Sequence, residues 1–154
     1  MALKPGDPAP KFEGVTQDGS TVRLADFVGR KLVLYFYPKD DTPGCTRQAC
    51  SLRDHDAEIK ARGAAIVGVS TQDQVTHRHF AERHRLNFPL LADPDGEVAR
   101  AYGAIGGGGL LDKVVNALGL ARRVTFIIDE QGRIAHIIDH PQTGSHGEEV
   151  LGLL

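Results

Sequence analysis

The sequence predicts an α/β fold in which helices flank a central mixed sheet. Two apolar runs, LVLYFY at 32–37 and AAIVGVS at 64–70, are each followed by a segment with helical features. Near the C-terminus, RVTFIID and RIAHIID enclose the turn EQG and predict a hairpin. Strands that alternate with helices and end in a hairpin indicate a sheet with both parallel and antiparallel pairs.

The N-terminal half supplies a hairpin, a buried strand and a long helix. In the Pro- and Gly-rich first thirty residues, QDG is the turn between two short extended pieces. LVLYFY does not alternate, so both of its faces are expected to be buried. Residues 43–61 predict one helix, because apolar residues recur at helical spacing on the face that carries Cys45 (Ala49, Leu52 and Ile59).

The second half continues the alternation. Thr71 and Gln74 have the spacing of a capping box, which predicts a helix from there to about His84. FPLLAD predicts a short strand, DPDGEVARAYG a turn with a short helix, and SHGEEVLGLL a C-terminal helix. Residues 103–121 fit least well, because four consecutive glycines form a joint before a short amphipathic helix. Its apolar residues are Leu110, Leu111, Val114, Val115 and Leu118.

Composition narrows the classes of function. The chain has 154 residues, a formal net charge of -2 and 25% charged residues mixed in sign, so nothing favours nucleic acid or an anionic membrane as a partner. No apolar run approaches the roughly 20 residues of a membrane span, and the N-terminus lacks the apolar core of a signal peptide. We therefore expect a cytoplasmic protein with a single domain over residues 1–154.

The stretch DDTPGC, directly after the first buried strand, is the strongest indication of chemistry. Thr42 is a good N-cap, and Pro43 suits the first helical position, where a missing N–H costs nothing. Cys45 then lies in the first turn, where unpaired N–H groups and the helix dipole stabilise a thiolate. Since the thiolate is the reactive form, Cys45 is a candidate nucleophile.

The spacing of the two cysteines and of the histidines allows other interpretations. Cys45 and Cys50 could be two small buried hydrophobic residues, as free cysteines often are. Their spacing differs from C-x-x-C and from common zinc motifs. His77 and His79 lie two apart on a helix and find no second ligand four residues on, so no metal site is predicted. The histidines are expected to be solvated surface residues.

Two acidic residues precede the candidate nucleophile. Asp40 and Asp41 are expected to be solvated in a turn, where they would mildly oppose a thiolate at Cys45. That opposition implies a cation elsewhere. From the residues alone the candidates are three arginines: Arg47, Arg122 and Arg123.

The segment YPKDDTPGCTRQACSLRD resembles the active-site segment of a peroxiredoxin, and specifically of the bacterioferritin comigratory protein or peroxiredoxin Q subfamily. The family motif Pro-x3-Thr-x2-Cys is met by Pro38, Thr42 and Cys45, and the subfamily's second cysteine by Cys50. The resemblance continues through GDPAPKF, GVSTQ, FPLLADPDGEVARAYGA and RVTFIIDEQGRI. The family's site arginine falls on Arg123, with Arg122 beside it. Residues 103–121 depart from the pattern.

The resemblance implies a thioredoxin-like fold and a thiol-dependent peroxidase for hydrogen peroxide and organic hydroperoxides. Cys45 would become a sulfenic acid, Cys50 would condense with it to a disulfide, and thioredoxin or another dithiol would reduce that disulfide. Pro38 would shield the site, Thr42 would hydrogen-bond at the sulfur or the peroxide, and Arg123 would polarise the O–O bond. No metal, haem or flavin is required, and a monomer or weak homodimer is expected.

The sequence leaves two other functions open: a redox sensor that reports oxidation to a partner, and a non-catalytic thioredoxin-like binding domain.

For the enzyme, helix geometry adds a requirement for disulfide formation. Five residues of intact helix rise about 7.5 Å, whereas a disulfide needs Cα atoms roughly 4.4–6.8 Å apart. The helix is therefore expected to unwind around residues 45–51 when Cys45 and Cys50 join.

Overall fold

The structure, a computed structural model, describes residues 2–106 and 110–154. These residues form a mixed sheet flanked by helices. Its strands are β1 Glu13–Thr16, β2 Thr21–Arg23, β3 Lys31–Phe36, β4 Ala64–Ser70, β5 Leu90–Ala92, β6 Val124–Ile128 and β7 Ile134–Ile138. The helices are α1 Pro43–Asp54, α2 Asp56–Ala61, α3 Gln74–His84, α4 Glu97–Ala101, α5 Leu110–Ala117 and α6 His146–Leu151. The predicted alternation of strands and helices is confirmed.

The strands lie in the order β2-β1-β5-β4-β3-β6-β7. Strands β3, β4 and β5 are parallel to one another, which the intervening helices permit, and all other neighbours are antiparallel. The sheet is therefore mixed, and both predicted hairpins, β1–β2 and β6–β7, are present. In this topology β3 is an interior strand, with β4 on one side and β6 on the other.

Strand β3 is buried on both faces, which explains why its sequence does not alternate. Alternate residues of the run belong to two separate core clusters: Leu32, Leu34 and Phe36 on one face, and Val33, Tyr35 and Tyr37 on the other. The second face is covered by apolar residues of α1, α2, α3 and α6, and the first by α4 and the N-terminal segment. Helix α1 thus begins just beyond the carboxyl end of a strand that is buried on both faces.

The single helix predicted over 43–61 is wrong at one residue. The helix breaks at His55, which has φ -108° and ψ 6°, and so separates α1 from α2. The His55 ring Nδ1 lies 2.8 Å from the carbonyl oxygen of Ser51, the acceptor that the His55 backbone N–H would use in a continuous helix. The His55 N–H instead donates to Leu52, and the ladder is interrupted.

The predicted capping box of α3 is also wrong. The N-cap is Asp73, whose carboxylate accepts a 2.8 Å hydrogen bond from the backbone N–H of Thr76. The Thr71 hydroxyl donates to the carbonyl oxygen of Gly119 instead, at 2.8 Å. The helix therefore starts after Asp73, two residues later than the capping box predicts.

The short amphipathic helix predicted within 103–121 is confirmed as α5, whereas the glycines at 107–109 lie outside the described residues. Three of its predicted apolar residues point to solvent: Leu110, Val114 and Leu118 are 80%, 55% and 72% exposed. Leu110 and Val114 lie four residues apart and share one face of α5, and Leu118 follows the last residue of the helix.

Candidate active site

The loop from Pro38 to Thr42 leads from β3 into α1 and places Cys45 in the first turn. Thr42 occupies the N-cap position with extended backbone angles, and Pro43 follows at the first helical position. The Thr42 side chain does not cap the helix, however. Its hydroxyl donates a 2.8 Å hydrogen bond to the carbonyl oxygen of Lys39, which closes the loop on itself. Pro38, at the other end of the loop, is half-buried.

Cys45 is 1% exposed and lies beside a guanidinium group. Arg123 Nη2 is 3.4 Å from the Cys45 sulfur, and Arg123 Nη1 donates a 2.6 Å hydrogen bond to Gln48 Oε1. Gly44 leaves room for this approach, because a Cβ there would lie 3.1 Å from Arg123 Nη2, which is closer than an ordinary contact. The sulfur therefore has both a helix N-terminus and a cation, the two features that stabilise a thiolate.

The sheet explains why Arg123 reaches this position. Strand β6 is antiparallel to β3, with Val124 opposite Phe36, so the residue before β6 lies at the edge of the sheet where α1 begins. Arg122 turns to the other side and bonds the Gly103 carbonyl oxygen at 3.0 Å and Asp139 at 3.4 Å. Arg47 is exposed. Of the three predicted arginines, the structure places Arg123 at the sulfur.

Cys50 lies further along α1 and is half-buried, and both thiols are free. Helix α1 is continuous from Pro43 to Asp54, so the two cysteines leave it on different faces, as the spacing predicts. In this state the structure brings together Cys45 and Arg123 but does not join Cys45 to Cys50.

The comparisons with known proteins agree with this geometry. The model of the AhpC/TSA family matches residues 5–137. The chain is 43% identical over 152 residues to peroxiredoxin Bcp of Escherichia coli K12, covering 99% of this chain and 96% of that protein.

The chain belongs to the AhpC/TSA family of peroxiredoxins. Solved structures support the same branch. Peroxidoxin BcpB of Mycobacterium tuberculosis superposes with a TM-score of 0.83 at 35% identity, covering 98% of this chain and 96% of that one. The bacterioferritin comigratory protein of Xanthomonas campestris gives a TM-score of 0.79 at 28% identity, over 92% and 88% of the two chains. The thioredoxin-like fold is confirmed, and family membership supports thiol-dependent peroxidase chemistry.

The peroxiredoxin site contains a buried residue that sequence reasoning missed. Gln48 is fully buried, and its Oε1 holds Arg123, but its Nε2 has no hydrogen-bond partner among the described residues. The Tyr35 hydroxyl is likewise buried without a partner in that part of the chain. Burial, with a smaller effect from Cys45, raises the pKa of Tyr35 well above 10, so it stays a neutral donor. The helical spacing of Gln48, three residues after Cys45, was the available signal.

The expectation for the acidic residues and the histidines of this peroxiredoxin is wrong in part. Asp40 is buried, and its carboxylate accepts from the Tyr37 hydroxyl and pairs with His77. His146 is also buried. A histidine or aspartate can be buried when every polar atom finds a partner, and the local sequence does not reveal partners that are remote along the chain.

Neither a metal centre nor a membrane segment is found in the described ranges. In residues 2–106 and 110–154, no group of three His, Cys, Asp or Glu side chains is placed to hold a metal ion. None of the helices described there is long and apolar enough to cross a membrane.

His146 links the C-terminal helix to the sheet of the peroxiredoxin. Its Nε2 lies 2.9 Å from the Thr125 hydroxyl, and its Nδ1 lies 2.7 Å from Glu149 Oε1. Burial lowers the pKa of His146 below its ordinary 6.5, although the hydrogen bond with Glu149 opposes this. The unfolded chain therefore binds a proton at His146 more readily than the folded chain does.

His146 is expected to make the fold less stable in mild acid. Its neutral form is favoured in the folded state. The contribution of His146 to the free energy of unfolding is therefore fully present above pH 6.5 and is lost as the pH falls through the lowered pKa of the folded state. Urea unfolding at neutral pH and in mild acid should show a larger loss for the wild type than for His146→Gln, a variant that does not titrate. Equal losses in the two proteins would contradict the assignment.

Proposed function

We propose that this peroxiredoxin is a thiol peroxidase in which Cys45 attacks the peroxide, Cys50 resolves the product and a dithiol protein of the thioredoxin type recycles the enzyme. The observation that carries the proposal is the position of the Cys45 sulfur in the first turn of α1, with Arg123 Nη2 at 3.4 Å. The site lies within the proposed single domain, residues 1–154. Hydrogen peroxide and organic hydroperoxides are the proposed substrates.

The first step places charge where the site holds positive groups. The Cys45 thiolate attacks one peroxide oxygen, the O–O bond breaks, and the leaving oxygen departs as hydroxide or alkoxide, which takes up a proton. Arg123 is close enough to stabilise that developing charge. The Thr42 hydroxyl donates to the Lys39 carbonyl oxygen, so we assign to its oxygen a hydrogen bond accepted from the peroxide O–H, and to Pro38 the exclusion of water. The product is a Cys45 sulfenic acid.

The second step joins the two cysteines. The Cys50 thiol attacks the sulfenic sulfur, a disulfide forms and water leaves. An intact α1 keeps the two residues on different faces, so the helix must unwind around residues 45–51. Gly44, Thr46 and Ser51 have weak helix preference, which lowers the cost of unwinding. A dithiol reductant then reduces the exposed disulfide by exchange.

A coupled assay tests the proposal as a whole. The reduced protein is mixed with hydrogen peroxide or an alkyl hydroperoxide, and turnover is followed through thioredoxin, thioredoxin reductase and a nicotinamide reductant. The bacterioferritin comigratory protein of Xanthomonas campestris has alkyl peroxide reduction activity, which supports including an alkyl hydroperoxide as a substrate. Multiple turnovers with the reductant would favour an enzyme over a sensor, and an absence of peroxide-dependent oxidation would contradict the proposal.

Cys50→Ser is expected to separate the two steps. Cys45 keeps its helix start and its arginine, so it should still form a sulfenic acid, which a dimedone-type probe detects. Turnover with thioredoxin should fall, because no intramolecular disulfide can form. Unchanged turnover, or a variant that fails to react with peroxide, would show that Cys50 is not the resolving residue.

Hydrogen exchange should show the unwinding directly. In the reduced protein the amides of residues 46–51 are part of α1 and should be protected, whereas in the disulfide form they should exchange quickly. Helix α3 serves as the internal control and should exchange alike in both forms. Equal protection of amides 46–51 in the two states, with the disulfide confirmed by mass, would rule out the rearrangement.

We also propose a monomer or a weak homodimer, with residues 103–121 as a mobile flap or contact surface. The exposed side chains of Leu110 and Val114 on α5, and of Leu118 just after it, support a contact surface. The hydrogen bond from Thr71 to Gly119 ties the end of this segment to the loop before α3.

A further inference from the structure

The loop that carries Pro38 and Thr42 is attached to helix α3 by a buried hydrogen bond between Asp40 and His77. His77 Nδ1 on α3 lies 2.6 Å from Asp40 Oδ2, and the two side chains are 0% and 1% exposed. The other carboxylate oxygen of Asp40 accepts a 2.6 Å hydrogen bond from the Tyr37 hydroxyl. The backbone N–H of Asp40 donates to the side chain of Gln72. Asp40 is therefore held on three sides.

Both ring nitrogens of His77 have buried partners. Its Nδ1 lies 2.6 Å from Asp40 Oδ2, and its Nε2 lies 3.2 Å from the Leu91 carbonyl oxygen and 3.5 Å from the Ser70 hydroxyl. A buried polar group that loses its hydrogen-bond partner is costly, so the loop is held firmly while both side chains are present.

The loop is also strained next to this anchor. Asp41 has φ 61°, a left-handed conformation that non-glycine residues seldom adopt and that persists only when its surroundings impose it. Its side chain contacts His84 Nε2 on α3 at 3.0 Å. Asp40 and Asp41 thus both bind α3. The chain turns at Asp41, and the Thr42 hydroxyl donates back to the Lys39 carbonyl oxygen.

We propose that Asp40 and His77 are positioning residues for peroxide reduction: the pair sets where Pro38 and Thr42 lie relative to the Cys45 sulfur. This inference rests on the proposed peroxidase function, because it assigns a role in the reaction with peroxide. The pair does not touch the sulfur, whose cation is Arg123. Its loss should therefore disturb the placement of the peroxide more than the reactivity of the thiolate.

The test compares two reactions of the same thiol. In Asp40→Ala and His77→Ala, the second-order rate constant for oxidation of Cys45 by hydrogen peroxide should fall by about 10²-fold, the scale of an ångström-sized misplacement. Alkylation of Cys45 by iodoacetamide, which needs the thiolate but not Thr42, should stay near the wild-type rate. His79→Ala, an exposed histidine on the same helix, is the matched control and should leave both reactions unchanged.

Asp40→Asn distinguishes hydrogen bonding from charge. The asparagine oxygen can accept from Tyr37, and its NH₂ can donate to a neutral His77 that keeps its Nε2–H toward Leu91, so every group remains paired. This variant should retain most of the rate with peroxide, and it also serves if the alanine variants do not fold. A loss as large as that expected for the alanine variants would overturn a role through hydrogen-bonded position.

Three further outcomes are decisive. Alanine variants that oxidise at the wild-type rate, or that lose both reactions in parallel while folded, would overturn the inference. If the wild type itself did not react with peroxide, the proposed function would fail, which is a different result. A wild type that reacts with peroxide, alanine variants that lose only that reaction and an asparagine variant that retains it would support the positioning role.

Discussion

Cys45→Ser is expected to abolish peroxide consumption. A serine hydroxyl is not ionised near neutral pH, even at a helix start beside an arginine, and it cannot form a sulfenic acid. The substitution is nearly isosteric, so α1 and the buried core around residue 45 should be kept. Peroxide loss in the coupled thioredoxin assay measures the effect, and far-ultraviolet circular dichroism checks the fold.

The matched comparison for that variant is Cys50→Ser. Both variants retain one thiol and differ only in which thiol remains. Cys45→Ser should show no sulfenic acid at Cys50 with a dimedone-type probe, because Cys50 lies beyond the first turn of α1. Substantial thiol-dependent turnover by Cys45→Ser would mean that Cys45 is not the nucleophile.

Arg123→Ala is expected to slow oxidation of Cys45 by about 10²–10³-fold, the usual cost of removing one positioned donor from a site of developing charge. The variant removes the cation 3.4 Å from the sulfur and frees Gln48 Oε1, whereas α1 and β6 keep their backbone contacts. Stopped-flow measurement of peroxide oxidation at a single pH gives the rate constant. Iodoacetamide alkylation should slow as well, because the thiolate loses its cation.

Arg122→Ala is the control for that result. Arg122 is adjacent in sequence and carries the same charge, but it bonds Gly103 and Asp139 rather than the sulfur. In the Arg122→Ala variant, peroxide should oxidise Cys45 at close to the wild-type rate. Arg123→Lys should recover only part of the loss, since an ammonium group cannot contact both Gln48 and the sulfur as the planar guanidinium does. A large loss in Arg122→Ala with none in Arg123→Ala would reverse the assignment.

Arg122 and Arg123 show what the local sequence does not determine. Successive residues at the start of a strand point to opposite sides, so the choice depends on the register that sets Val124 opposite Phe36. Nothing near Arg122 or Arg123 in the sequence carries that information. The resemblance to peroxiredoxins indicated Arg123, and the geometry places that residue at the sulfur.

Asp40 and His77 illustrate the same limit for burial. A charged residue in a Pro- and Asp-rich turn is usually solvated, and a histidine on a polar helix is usually exposed. Here the two residues, which lie 37 positions apart, meet in the interior and satisfy each other, with Tyr37 and Leu91 completing the set. Such a pair is stable only as a whole, so neither residue shows it alone.

The sequence by itself determined the class of fold, the position of Cys45 at a helix start and the family. These depend on short-range features: apolar runs buried on both faces, the Thr42–Pro43 start signal and a contiguous motif. Tertiary structure alone decided how Arg123 reaches the sulfur while Arg122 turns away, where the helix after Cys50 breaks and that Asp40 is buried against His77. Those choices depend on contacts between segments remote along the chain, and their free energies depend on strand register and on the completeness of buried hydrogen bonding.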